Sequence, residues 1–124
     1  MTPLPATPGL RAGAATVDIT PAGSVFLYGY PHVPRHSTGV HDPLECAALY
    51  LRAGAGEALF LATDLIFVTK ELVAETRRRI AAATGVAEGA IMLTCTHTHS
   101  GPVMSKHLSN AADPVVPPVD PAYL

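Results

Sequence analysis

The chain has no tryptophan, only two cysteines, and charged residues at just 15% of its 124 positions. Scarce charge excludes a highly charged disordered polymer, because 48% hydrophobic residues and a mean hydropathy of +0.29 supply a core. There is no basic excess either: eight Lys and Arg face ten Asp and Glu, for a formal charge of −2. The one basic cluster, Arg77-Arg78-Arg79, follows Glu75 and reads as a solvated helix end, which argues against a nucleic-acid partner. No apolar run approaches the ~18–20 residues that span a bilayer, so no transmembrane segment is predicted. The segment Met1–Gly9 has neither a basic nor a hydrophobic stretch. It does not read as a signal peptide, and taken alone it points to the cytoplasm. Cys46 and Cys95 lie in apolar segments without C-x-x-C spacing, as reduced core thiols do. Neither a P-loop nor a dinucleotide G-x-G-x-x-G is present.

What is there fits one small domain, since domains usually run to ~100–150 residues. The 12 prolines gather toward the two ends. Residues 1–10 read as a flexible N-terminus and 103–124 as a Pro-rich segment. A strand is predicted over 11–20, stopped by Pro21. Residues 21–44 carry Gly23, Gly29, Gly39 and four prolines, and form a long loop holding His32, His36 and His41. Strands at 46–52 and 58–65, joined by Ala53-Gly54-Ala55-Gly56, make an antiparallel hairpin. The second is continuously apolar, the pattern of a strand buried on both faces.

A helix is predicted over 69–84. Thr69 caps it, Leu72, Thr76, Ile80 and Ala83 share a face, Glu75 pairs with Arg79, and Gly85 supplies the left-handed C-terminal position. A third strand follows at 91–96. Strand, helix and strand predict a right-handed βαβ crossover with 58–65 and 91–96 parallel, so the fold class is α/β with a mixed sheet. The tail from 101 shows no helical period, and Pro121-Ala-Tyr-Leu124 reads as a first helical turn.

In open α/β sheets ligands bind beyond the carboxyl ends of parallel strands. Asp64 closes one such strand and Thr96-His97-Thr98-His99-Ser100-Gly101-Pro102 the other. Residues i and i+2 of extended backbone project to one side, so His97 and His99 point together toward Asp64. Two imidazoles and a carboxylate are a first shell for a divalent metal such as zinc. The alternative is ordinary loop histidines satisfied by hydrogen bonds and water. Asp64 likewise has two readings, as a site residue or as a strand-end acceptor of backbone N–H groups. His41 either reaches the same crevice or serves a His-Asp-Pro turn. His32, His36 and His107 read as surface residues, and Ser100 lacks the G-x-S-x-G setting of a nucleophile.

Five segments, in this order, resemble the neutral/alkaline (non-lysosomal) ceramidase family. They are Gly13-Ala-Ala-Thr-Val-Asp18-Ile-Thr-Pro21, Gly29-Tyr30, Gly39-Val-His41-Asp-Pro-Leu44, Ala62-Thr-Asp64-Leu65 and Thr96-His97-Thr98-His99-Ser100-Gly101-Pro102. The resemblance implies that residues 11–102 are the N-terminal part of a larger α/β metallohydrolase domain. It implies a zinc amidase that splits the N-acyl bond of a ceramide-like lipid into sphingoid base and fatty acid. His97 would be a zinc ligand, His99 a contact to substrate or developing oxyanion, and His41 and Asp64 neighbours of that pocket. The family's other ligands, a histidine, a glutamate and a tyrosine, come from much later in a longer chain, and its members are often secreted. The 124 residues therefore read as an incomplete enzyme, a truncated frame with weak or no activity alone. The other readings are a metallohydrolase of different substrate and a non-catalytic α/β binding module.

Overall fold

The computed structural model describes residues 9–30, 32–107 and 113–124. Most of the expected flexible N-terminus, and residues 108–112 of the Pro-rich segment, lie outside the described residues. Four strands, β1 (Arg11–Asp18), β2 (Glu45–Ala53), β3 (Gly56–Thr63) and β4 (Ile91–Cys95), form one sheet in that order. β1 and β2 pair antiparallel, as do β2 and β3, whereas β3 and β4 run parallel with Leu61 opposite Leu93. The helix α1 (Lys70–Thr84) makes the crossover between β3 and β4. The fold is α/β with a mixed sheet. Among the described residues no helix is long and apolar enough to cross a membrane.

The helix ends are where local chemistry puts them. Thr69 Oγ1 accepts from Leu72 N at 3.2 Å, and Gly85 takes a left-handed φ of 78° while its N–H donates to Ala81 O. Two details differ from expectation. Glu75 pairs with Arg78 rather than Arg79. The face turned to the sheet includes half-buried Arg77, whose Nε donates to Ile91 O at 2.9 Å, while Ala83 is exposed. An arginine stem can cover apolar surface while its head reaches a carbonyl, which a tally of apolar residues overlooks.

α1 covers one sheet face, where Leu61, Ile91 and Val86 form a core with half-buried Ala48, Tyr50, Leu59, Ile80 and Leu93. Cys46 and Cys95 also lie on this face, as free thiols on either side of Thr63. Two strand spacings put them about 9.6 Å apart, beyond disulfide reach. Burial pushes the Cys46 thiol up.

The opposite face overturns one expectation. β3 is not buried on both sides: Phe60 is 40% exposed and aligns with Leu49 at 41% and Met92 at 50%. The register continues this surface through Ala12, Ala14, Thr16, Ala47, Leu51, Ala58, Ala62 and Thr94, and the paired Asp18 and Glu45 are the charged residues that close it at one end. A continuous apolar run records that both faces are built for burial. It does not say that both are covered by these 124 residues.

A second core lies outside the sheet. Phe26, Tyr28, Ile66, Val103 and Val116 form it, with Phe67, Val115 and Val119 packed against them. The long loop and the Pro-rich tail thus make core rather than fray. Asp113 ties them together: its carboxylate accepts from His32 N at 3.1 Å and Val115 N at 2.9 Å, with His32 Nδ1 at 3.3 Å. Desolvation works to raise the Asp113 carboxyl, but the N–H groups of Val115, His32 and Val116 together outweigh it and hold it below the usual range. A depressed carboxyl stabilises the fold above its unfolded value of ~3.9, and the contribution fades as pH falls through the folded value. The Val115 and Val116 amide resonances are therefore expected to titrate together below about pH 4, and Asp113→Ala to abolish that titration. A shared midpoint above pH 5 would contradict this anchor.

Candidate active site

The segment after β4 carries the densest chemistry. β4 ends at Cys95; Thr96 N then donates to Thr63 O and His97 N to Leu65 O, which continues the link to the β3 side as the sheet pairing stops. His97 takes a left-handed φ of 62°, uncommon for a non-glycine residue. Its Nδ1 lies 2.9 Å from Ile66 O. A carbonyl only accepts, so the shared proton sits on Nδ1, and in the neutral ring Nε2 keeps its lone pair. That is the tautomer of a metal-ligating histidine whose other nitrogen is held by a backbone carbonyl. His97 as a whole residue is exposed.

His99 stands beside it, ring centroids 5.1 Å apart and planes at 75°. Its Nδ1 is buried with no hydrogen-bond partner among the described residues. Gly29, Tyr30 and Arg35 of the long loop surround it. Tyr30 meets the ring edge-on at 4.9 Å, and Arg35 Nη1 donates to His99 O at 3.4 Å.

The other expected residues fall elsewhere. Thr96, Thr98 and Ser100 line an open cleft of about 640 Å³ together with His36, His41 and Asp64, whereas His97 and His99 do not line it. His41 is almost fully exposed and its Nδ1 pairs with Asp42 at 2.7 Å. Asp64 Oδ2 accepts from Glu45 N at 3.0 Å, the strand-end acceptor arrangement. The structure brings His97 to His99, and His41 to Asp64, on different flanks of one segment. Of the weaker candidates, His32 sits by Asp113, His36 packs edge-on against Phe26, and His107 bonds Ser105 Oγ at 2.6 Å against Phe67. Among the described residues no group of three His, Cys, Asp or Glu could hold a metal ion. His97 fits a ligand's role by tautomer and exposure, but a catalytic zinc takes about three protein ligands. Sequence reasoning missed Arg35 and the Ile66 carbonyl, because neither carries a motif and both are brought in by chain folding.

No family model matches the chain. Over 97 residues, 74% of its length, it is 30% identical to neutral ceramidase B of Dictyostelium discoideum. It superposes on the crystal structure of neutral ceramidase from Pseudomonas aeruginosa with a TM-score of 0.66 and 29% identity over 78% of its length. The segment is neutral-ceramidase-like. A ceramidase complexed with C2 superposes equally well, again with 29% identity and TM-score 0.66 over 78% of the chain. The likeness is partial in one direction: this ceramidase-like chain spans 14% of the curated relative and 16% of each solved structure.

Proposed function

We propose that residues 11–102 are the first part of a zinc-dependent amidase domain that hydrolyses the N-acyl bond of a ceramide-like lipid. The observation that carries this reading is the His97 tautomer, its Nδ1–H on Ile66 O and its Nε2 free, within a segment similar to neutral ceramidases. Zinc would supply Lewis-acid polarisation of the scissile carbonyl and activation of water. His97 would hold it through Nε2. His99, adjacent and buried at Nδ1, would meet the substrate or the developing oxyanion. The remaining ligands, and the layer that covers the Leu49–Phe60–Met92 face, would come from further polypeptide. Soluble proteins seldom leave so continuous an apolar face uncovered, which supports the larger-domain reading. Alone, the 124 residues are expected to show weak or no hydrolysis of labelled ceramide.

The test is zinc titration of the chain followed by histidine-ring NMR and calorimetry. Zinc is expected to move the His97 ring signals first. His97→Ala should weaken binding by at least about tenfold to hundredfold, the range that even outer-ligand changes produce. Zinc binding that is unchanged in His97→Ala would remove His97 as a ligand from the reading and favour a non-catalytic module.

A further inference from the structure

The long loop meets His99 at a place where only glycine fits. Gly29 has φ +128°, and a Cβ there would lie 2.5 Å from Cγ and 2.6 Å from Nδ1 of the His99 ring. The loop backbone therefore lies against the Nδ1 side of the imidazole. The edge-on rings of Tyr30, at 72°, and His97, at 75°, flank it. Arg35 closes the arrangement twice over: its guanidinium carbon sits 4.6 Å from the Tyr30 ring centroid, and its Nη1 donates to the His99 carbonyl. The guanidinium thereby connects Tyr30 and the His99 backbone through a cation–π contact and a hydrogen bond.

We infer that Gly29, Tyr30 and Arg35 are positioning residues that hold His99 in the Nε2–H tautomer, opposite to that of His97. The inference rests on the reading of His97 and His99 as site residues. Buried N–H groups without an acceptor are rarer in folded proteins than under-satisfied acceptors, because the lost donor bond is costly. The walled-in Nδ1, with no partner among the described residues, is thus the nitrogen that gives up the proton. Nε2–H remains as a donor. The pair then divides its work: His97 offers a lone pair where a cation binds, and His99 offers an N–H where negative charge develops on an amide oxygen. Two histidines of one tautomer would supply only one of these functions.

The experiment is long-range nitrogen–proton correlation NMR of the full chain without metal at about pH 8.5, above the ordinary imidazole range. His97→Gln and His99→Gln assign the rings. Expected are a pure Nδ1–H pattern for His97 and a pure Nε2–H pattern for His99, whose ring protons are displaced by the Tyr30 ring. Arg35→Lys, which keeps the charge but loses the planar fork, should shift His99 toward the averaged pattern of a free imidazole and leave His97 unchanged. Gly29→Ala should do the same more completely. A merely structural role for Arg35 would change stability without moving the tautomer pattern of one histidine alone. An averaged or Nδ1–H pattern for His99 in the wild-type chain overturns the inference, as does an Arg35→Lys spectrum identical to wild type. The readout needs neither zinc nor turnover, so failure of the zinc titration leaves it standing.

Discussion

Tyr28→Ala is expected to destabilise the chain by about 3–5 kcal/mol, the range for deleting a large buried aromatic. Tyr28 is fully buried at the centre of the second core, meets Phe67 edge to face at 5.9 Å, and donates its N–H to Gly101 O at 3.0 Å. Small domains have only about 5–15 kcal/mol in total, so the loss is a large share. It should also be uneven. The second core joins the long loop to the segment after the histidines and to the tail, while the sheet and α1 rest on the other core. Amide exchange should therefore accelerate at Val103 and Val116 well before it does in β2 and β3. Because Gly29 follows Tyr28, the His99 clamp should loosen in the same variant. Urea unfolding measures the total, and a change below about 1 kcal/mol would show that this core does not behave as a packed interior.

Ile91→Ala tests the other core and is expected to cost about 2–5 kcal/mol, with Ile91→Val near 0.5–1.5. Ile91 is 2% exposed, opens β4 opposite Leu59, and packs with Leu61 and Val86. Its carbonyl receives the Arg77 bond from α1, so one residue sits where strand, helix and crossover meet. The response should be global rather than local, with far-UV circular dichroism and amide exchange in β3 and β4 lost together. A cost below about 0.5 kcal/mol for Ile91→Ala would mean that the helix is not held on the sheet by this contact.

The parts of the fold that could be read in advance are those whose signal is local. Thr69 and Gly85 mark the helix ends through cap chemistry within four residues, and the Ala53–Gly56 turn joins β2 to β3 with nothing else needed. The Thr96–Pro102 segment was equally legible, since H-x-H after an apolar strand places two rings together. The route differed: His97 adopts a left-handed backbone, and the alternation instead sends Thr96, Thr98 and Ser100 to the neighbouring cleft. Strand-end topology groups Asp64 with the histidine pair, and the family resemblance adds His41 from the long loop. Topology brings residues to one end of a sheet but does not choose which flank each side chain takes.

By itself the sequence determined the helix ends, the strands to within two residues, the mixed sheet, and the order of segments that marks a neutral-ceramidase-like chain. Each depends on interactions within a few residues or on a pattern carried along the chain. Only the tertiary structure decided three other matters. A Pro-rich tail with no periodicity, and a loop with four prolines, became core because Tyr28, Val103 and Val116 find one another across the chain. The proton on His97 was assigned by a carbonyl thirty-one residues away, and the orphaned nitrogen of His99 by a glycine seventy residues away. The apolar run of β3, which suggested burial on both faces, was left covered on one. Hydrophobicity records which surfaces must leave water, and the three-dimensional arrangement of the chain decides where they go.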